Sequence, residues 1–435
     1  HSLSITFQLI TQFWWFIVKS IIKDIKLAKT GRQNIDWAEK DMPVVMAIRK
    51  RFEKEKPFNE IRIAACLHVT KETAVLAETL VAGGADVALC ASNPLSTQDD
   101  VAAALSENGL KTYAIRGIDN KGYYECLTAA LDLKPHITID DGADLVNLIH
   151  TKRTELLKGV LGGQEETTTG VIRLRAMAAD GELKYPMIAI NNAKTKSWFD
   201  NFYGTGQSTL DGIIRATDVL LAGKNFVVAG FGNCGSGLAL KARGMGCNVI
   251  VTEVDPVKAL QAKMLGYSVM AMEQAAKIGD IFVTVTGNKH VLRKEHFLLM
   301  KDKAVVCNTG HFNVEINIGE LSGVTLSKKL VRPDVEEFKL KSNGNRIYLL
   351  AQGRLVNLAC AKGHPSEVMD MSFANQALCS EFIVQNKGKL KKQVYDVPKE
   401  IDESVALLKL AAMDTNIDKL TAEQVKYLAS WQEGT

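Results

Sequence analysis

The stretch VVAGFGNCGSG (227–237) constrains this chain more than any other. A β-branched run leads into Gly230, Gly232 and Gly235 in G-x-G-x-x-G spacing, and a helix-forming segment follows. The next strand-like run, VIVTEVD, ends with Glu253 at its tip. Each residue has a physical task. Gly230 permits a tight turn, Gly232 lets the backbone approach a pyrophosphate, and Gly235 allows close helix–strand packing. The N-terminus of the helix attracts phosphate. Glu253 suits a pair of ribose hydroxyls and would repel a 2′-phosphate, which points to NAD rather than NADP. A glycine motif alone is compatible with a strand–helix turn that binds nothing. Here the strand, the helix and the acid all fall where a dinucleotide site needs them.

The rest of the chain extends this pattern. IRIAACL (61–67) and ADVALCA (85–91) read as strands, KETAVLAETLVAGG (71–84) and DDVAAALSENG (99–109) as helices. HITIDDGADL (136–145) reads as a strand running into an acidic loop. Past LDGIIRATDVLLAG (210–223), a predicted helix, DIFVTVTG (280–287) and AVVCNTGHFN (304–313) continue the second block as strands. Strand–helix alternation means parallel sheets covered on both faces, with ligands at the carboxyl ends of the strands. At 435 residues the chain exceeds one core. The expectation is an α/β fold of two doubly wound, Rossmann-like parallel-sheet domains facing a central cleft, with a short C-terminal helical segment. The expected division is an apolar extension of unknown role over 1–23, a substrate-binding domain over 24–200 and again over 362–395, an NAD-binding domain over 201–361, and the helical segment over 396–435.

Composition removes several function classes. A formal charge of +4, with no Lys/Arg stripe interleaved with aromatics, argues against a nucleic-acid partner. KGKLKK (387–392) reads as a solvated face. The eight cysteines form no C-x-x-C pair and no zinc spacing, so free thiols in a reducing cytoplasm, and no metal, are expected. ITFQLITQFWWFIV (5–18) is apolar but broken by Gln8, Thr11 and Gln12, closed by Lys19, and short of a membrane span. No small-residue cleavage site follows it. An interfacial helix and a non-native extension both remain open, and no membrane partner is expected.

KTKSWFDN (194–201) sets Lys196 and Asp200 four apart. On a helix they share a face, and such pairs are ordinarily surface ion pairs worth a few tenths of a kcal/mol. Other polar residues gather at strand ends of the first block: His68, Thr70 and Glu72; Ser96, Thr97 and Gln98; Asp140, Asp141 and Asp144; Glu165, Glu166 and Thr167 to Thr169. Each alone has a plain explanation, Thr70 as a helix cap for example. Together they line one side of an enzyme cleft. His311 follows a strand of the second block, within reach of a nicotinamide or a substrate.

CLHVTKETAVL, NPLSTQDDVAAAL, DDGADL, EETTTGV, TKSWFDN, GQSTLDGIIRATD, VVAGFGNCGSG, VTEVDP, GHFNVEI and GRLVNLACAKGHPSEVM resemble the S-adenosylhomocysteine hydrolase family, from about residue 25 to the end. GTGQS (204–208) resembles its archaeal-type members. The resemblance implies adenosylhomocysteinase activity, a thioether hydrolysis in the methyl cycle of one-carbon metabolism. Its partners are S-adenosylhomocysteine, adenosine and homocysteine, in a cytoplasmic homotetramer with one tightly held NAD per subunit. In that family the ribose 3′-hydroxyl is oxidised, the 4′ proton is removed, homocysteine leaves, water adds, and the ketone is reduced. The resemblance gives Lys196 as base at the 3′-hydroxyl with Asp200 as its partner, and such a base needs a pKa lowered by burial. It gives Asp141 and His68 as acid/base groups near the 4′ and 5′ positions, Glu166 at the ribose hydroxyls and Asn191 by the reacting centre. Thr70, Glu72, His364 and Met369 resemble the adenine pocket. Thr167, Thr168, Thr169, Asn201, Gly230, Gly232, Asn233, Cys234, Gly235, Ser236, Gly237, Glu253, Lys258, Thr309, Gly310, His311 and Asn357 resemble the NAD contacts.

Three positions depart from many members: Thr205 replaces a cysteine, Lys258 replaces an asparagine, and the sequence stops at SWQEGT where a longer tail carries a lysine and a tyrosine to a neighbouring subunit's NAD. Rival readings are an S-inosylhomocysteine hydrolase, an NAD-dependent 2-hydroxyacid dehydrogenase, which would release stoichiometric NADH, and a non-catalytic nucleotide-binding relative. The last predicts losses among Lys196, Asp200, His68 and Asp141, and all four are present.

Overall fold

The computed structural model describes residues 20–432, so the apolar run at 5–18 lies outside the described residues. The chain first lays down six strands: β1 (Arg62–Leu67), β2 (Asp86–Ala91), β3 (Lys111–Tyr113), β4 (Ile137–Asp140), β5 (Gly162–Glu165) and β6 (Met187–Ala189). It crosses to a second sheet with β7 (Asn225–Ala229), β8 (Asn248–Thr252), β9 (Ser268–Val269), β10 (Ile281–Thr284), β11 (Ala304–Asn308), β12 (Thr325–Arg332), β13 (Val335–Leu340) and β14 (Arg346–Leu350). It then returns, and β15 (Val394–Asp396) closes the edge of the first sheet beside β6.

The first sheet runs β15-β6-β5-β4-β1-β2-β3, every pair parallel. Its strands are apolar throughout because both faces are covered. In β1, Ile63, Ala65 and Leu67 enter one core while Ala64 and Cys66 enter the other. β7 does the same, with Phe226 and Val228 on one side and Val227 on the other. The second sheet runs β12-β13-β14-β11-β10-β7-β8-β9. Its β12–β13 and β13–β14 pairs are antiparallel, an added edge on an otherwise parallel sheet. The exposed, lysine-rich β12 can tolerate this because it is the sheet's edge.

One helix boundary differs from expectation. The helix expected to run to residue 223 spans Thr205–Thr217, stopped by Asp218 at φ 53°. The helix Lys71–Ala82 ends before Gly83 and begins on Thr70, whose hydroxyl accepts from the Thr73 amide. Among the described residues no helix is long and apolar enough to cross a membrane.

Both sheets fork at their centre. Strands leave β1 towards β2 and towards β4, and leave β7 towards β8 and towards β10. The carboxyl ends at these forks carry His68, Asp141 and the glycines from Gly230 on, and the forks are where open α/β sheets bind ligands.

Candidate active site

Lys196 lies on a one-turn helix, Lys194–Ser197, and Asp200 opens a π-helical turn, Asp200–Gly204. Asp402, on helix Lys399–Ala412, caps the first of these from a distance by accepting from the Lys194 and Thr195 amides at 2.8 and 2.9 Å. The pair is no surface pair: Lys196 is 4% exposed and Asp200 3%. Lys196 Nζ donates to Asn201 Oδ1 at 2.7 Å and lies 3.4 Å from Asp200 Oδ2, Glu166 Oε1 and Asn191 Oδ1. Asp200 Oδ2 accepts from Ser372 Oγ at 2.8 Å, and Oδ1 sits 2.7 Å from His364 Nδ1.

The electrostatics correct one expectation. Burial does push the Lys196 amine down, but Asp200 and then Glu166 outweigh it, and the amine stands above its ordinary value. Lys196 therefore starts as an ammonium. Burial pushes Asp200 up, yet Lys196 and His364 hold its carboxyl below the usual range. Glu166 goes the other way. Burial raises it to about 8, against the pull of Lys196, so it carries a proton near neutrality.

Opposite this group, His68 Nε2 lies 3.2 Å from Asp141 Oδ2, and His311 Nδ1 3.5 Å from Asp141 Oδ1. His68 Nδ1 is engaged by Ser96 Oγ at 2.8 Å and Ser92 Oγ at 3.2 Å. Burial lowers His68 to about 4, with Asp141 opposing, so the ring is neutral at pH 7. The loop after β4 holds Asp141 in place. Asp140 accepts from the Asp141 and Val146 amides at 3.0 and 2.8 Å, and Glu165 Oε1 accepts from the Gly142 and Thr167 amides, each at 2.9 Å. Gly142, at φ 109°, brings its backbone against His311, since a Cβ there would stand 2.2 Å from the ring Nε2. The ligand atoms of His68, Asp141 and His311 lie within 4.8 Å of one another, close enough to share a cation as well as a proton.

The residues present fit NAD. Gly230 turns at φ 108°, and a Cβ on Gly235 would stand 2.0 Å from the Gly230 carbonyl. Around Gly232, at the start of helix Asn233–Gly244, no atom of the described residues comes within 4 Å of a Cβ. Glu253 is fixed at the tip of β8, accepting from the Phe231 and Val254 amides, each at 2.7 Å. Asn357 Oδ1 is buried and, among the described residues, has no hydrogen-bond partner. Thr309 joins Thr209 by a 2.8 Å hydroxyl contact, and Gly310 leaves room for buried Glu315, which a Cβ would meet at 1.9 Å.

One cavity between the sheets gathers most of the expected residues. His68, Thr70, Glu72, Asp141, Glu166, Thr167, Lys196, Asp200, Asn201, Cys234, Thr309, His311, Asn357, His364 and Met369 line it. Others lie outside the lining. Thr168 and Thr169 form the first turn of helix Thr168–Ala179. Ser236 donates to the Asn233 carbonyl, and Gly237 is pressed against the Phe202 backbone rather than turned to a nucleotide. Lys258 Nζ pairs with Asp255 at 3.6 Å on the exposed surface. His364, expected with the base pocket, bonds Asp200 and also approaches Thr205 Oγ1 and Asn357 Nδ2. Sequence reasoning missed Ser372 and Gln376, which bond Asp200 and Glu166. Both lie on helix Ser366–Gln385, where Asp370, Ser372, Asn375, Gln376 and Ser380 are all buried, and no motif marks them.

Residues 201–363 match the family model "S-adenosyl-L-homocysteine hydrolase, NAD binding domain", and residues 19–158 match "S-adenosyl-L-homocysteine hydrolase". The chain is 61% identical to an adenosylhomocysteinase of Aquifex aeolicus, over 95% of this chain and 99% of that protein. It is 58% identical to an adenosylhomocysteinase of Pyrococcus abyssi, over 95% of this chain and 98% of that protein. It is 57% identical to an S-inosyl-L-homocysteine hydrolase of Methanococcus maripaludis, over 96% of this chain and 100% of that protein.

Proposed function

The chain belongs to the S-adenosyl-L-homocysteine hydrolase family, and we propose that it hydrolyses S-adenosyl-L-homocysteine reversibly to adenosine and L-homocysteine, with Lys196 and the His68–Asp141–His311 group as its two proton-handling centres. The observation that carries this is their joint presence in one cavity beside the dinucleotide turn.

Gly230, Gly232, Gly235 and Glu253 would hold NAD, with Asn357 offering a free acceptor. Bound NAD supplies reversible hydride transfer at the ribose 3′ carbon. Lys196 handles the proton of the 3′-hydroxyl. As an ammonium it must first give up its own proton, and ionised Asp200, 3.4 Å away, is the neighbour able to accept it, since Glu166 already carries a proton near neutrality. Asp200, Asn191 and Asn201 fix the direction of the amine. Neutral His68, with Asp141, takes the 4′ proton and serves the 5′ position, where thiol leaves and water enters. His311 against Gly142 closes the cleft over these groups and keeps bulk water out.

At the base end, buried Glu72 offers a carboxylate acceptor to the amino group of adenine, already held by Ser366 Oγ at 2.8 Å. That favours the adenosyl substrate, while the M. maripaludis relative makes the inosyl substrate the alternative to test. The proposal extends to a homotetramer working in the cytoplasm. Exposed Val257, Leu260 and Met264 on helix Pro256–Met264 support assembly, and the free cysteines suit a reducing compartment. The purified enzyme is expected to release homocysteine thiol from S-adenosylhomocysteine faster than from S-inosylhomocysteine, without net NADH. Stoichiometric NADH release, or preference for the inosyl compound, would overturn the corresponding part.

A further inference from the structure

The carboxylate at the base end of the cavity is held asymmetrically. Glu72 lies in the first turn of helix Lys71–Ala82, and its side chain is 1% exposed. Two donors converge on one of its oxygens. Lys71 Nζ pairs with Oε1, and Ser366 Oγ donates to the same Oε1 at 2.8 Å. Among the described residues, Oε2 accepts no hydrogen bond. Glu72 lines the cavity between the sheets together with Thr70 and Thr73, whereas Lys71 does not line it. The ammonium therefore reaches the carboxylate from outside the space a ligand occupies. Its backbone is anchored separately, since the Lys71 amide donates to Gln98 Oε1 at 3.2 Å.

A purine presents opposite groups at its position 6. Adenine has an amino group there, a donor. Hypoxanthine has a carbonyl, an acceptor. An anionic Oε2 can only accept, so it binds the amino group and meets the carbonyl lone pair against lone pair. A protonated Oε2 would donate to the carbonyl instead. What stands on Oε1 decides between these forms. A buried carboxylate without a cation is unfavourable, and burial drives it to its neutral form. Ser366 fits either form, because a hydroxyl both donates and accepts. Lys71 fits only the anion, because an ammonium only donates. The helix N-terminus adds to the ammonium with the same sign.

We propose that Lys71 sets which purine the enzyme accepts: by occupying Oε1 it holds Glu72 as an acceptor, and the free Oε2 then selects a 6-amino over a 6-oxo base. Lys71 touches no ligand and acts through Glu72, so it is a positioning residue. The inference rests on the substrate reading proposed above. It extends that reading from the residue that meets the base to the residue that fixes whether the meeting atom accepts or donates. A site committed to one hydrogen-bonding role rejects the analogue with the opposite group far better than a site that can switch roles.

The test uses the holoenzyme, Lys71→Met and Lys71→Arg, with S-adenosylhomocysteine and S-inosylhomocysteine. The readout is the ratio of kcat/KM for the two substrates, which a general loss of stability or turnover does not move. Lys71→Met is expected to lower the adenosyl-to-inosyl ratio about 10- to 100-fold, the range for one hydrogen bond to a charged group. Lys71→Arg keeps a charged donor and should stay within about threefold of wild type. A cycle with Glu72→Gln completes the test. A carboxamide takes up no proton, so adding Lys71→Met to Glu72→Gln should leave the ratio of Glu72→Gln unchanged. If wild type prefers the adenosyl compound but Lys71→Met keeps its ratio, or shifts the ratio equally in both backgrounds, the Lys71 assignment is overturned and the function stands. If wild type cleaves neither compound, or prefers the inosyl one, the substrate reading is overturned and the inference falls with it.

Discussion

Lys196 is held by more partners than a surface lysine ever finds. Asn201, Asp200, Glu166 and Asn191 all reach it, and all are buried. Lys196→Ala is expected to leave folding and NAD binding in place and to lower turnover by about three orders of magnitude, in the upper range for general acid–base groups. Added adenosine should then fail to produce the absorbance of reduced nicotinamide, and a signal at the normal rate would remove Lys196 from the 3′ step. His68 gives a stability prediction with a definite sign. Unfolded, it takes up a proton near 6.5; folded, burial delays this to about 4. Its contribution is present above 6.5 and is lost as pH falls through that window, by on the order of 3 kcal/mol. Melting temperature measured from pH 7 to pH 4 should therefore fall less steeply in His68→Asn than in wild type, and parallel curves would refute the assignment. Asp140 and Glu166, raised to about 7 and about 8, run oppositely, and their contribution fades as pH rises through those values. The motifs named most of the polar residues that the fold brings into this cavity. They did not show the charge on Lys196, because Glu166, 30 positions away in the chain, is brought alongside only by the fold.

At the scale of elements, the glycines of the first helix turn separate by what surrounds them. A Cβ on Gly235 would strike the Gly230 carbonyl at 2.0 Å, whereas Gly232 opens on free space. Gly235→Ala is thus expected to lower the melting temperature of the NAD-free protein by several degrees. Gly232→Ala should leave that temperature unchanged but weaken NAD binding at least tenfold, measured by titration of the stripped protein. Equal losses of stability in both would contradict the assignment of Gly232 to the cofactor face. This element was legible in VVAGFGNCGSG because the turn, the packing and the phosphate approach each demand glycine locally. The site residues on helix Ser366–Gln385 were not legible. Ser372 and Gln376 serve Asp200 and Glu166 from one side while Phe373, Ala374 and Ala377 fill the core from the other, so no polar stripe marks a surface and no spacing marks a site. The antiparallel edge β12–β14 escaped for a similar reason, since the Lys328–Lys329 and Glu336–Glu337 doublets of its first two strands read as they would on any solvated segment.

At the scale of the whole molecule, the site exists only while the two sheets face each other. His311 comes from the second sheet and Asp141 from the first. A second contact supports this approach. Arg116, in the loop after β3, donates from Nη2 to the Ala359 carbonyl at 2.6 Å and lies 3.4 Å from Asp334, both beyond β11. Gln98 adds a 3.2 Å bond to the Lys362 carbonyl, just where the chain crosses back towards β15. These bonds are polar and few, as expected for a contact that must open to admit substrate and close for chemistry. Arg116→Gln removes the charged donor without touching either proton-handling centre. It is expected to lower kcat about 5- to 20-fold, corresponding to loss of one charged hydrogen bond in the closed state. The melting temperature should stay within a few degrees of wild type, because neither core is disturbed. Amide hydrogen exchange should accelerate in residues 357–363, which the arginine tethers, and in the loop carrying Asp141, which loses its closed partner His311. Unchanged exchange in both segments with unchanged kcat would show that closure does not depend on Arg116, and would leave the His311–Gly142 approach as the contact that holds the cleft shut.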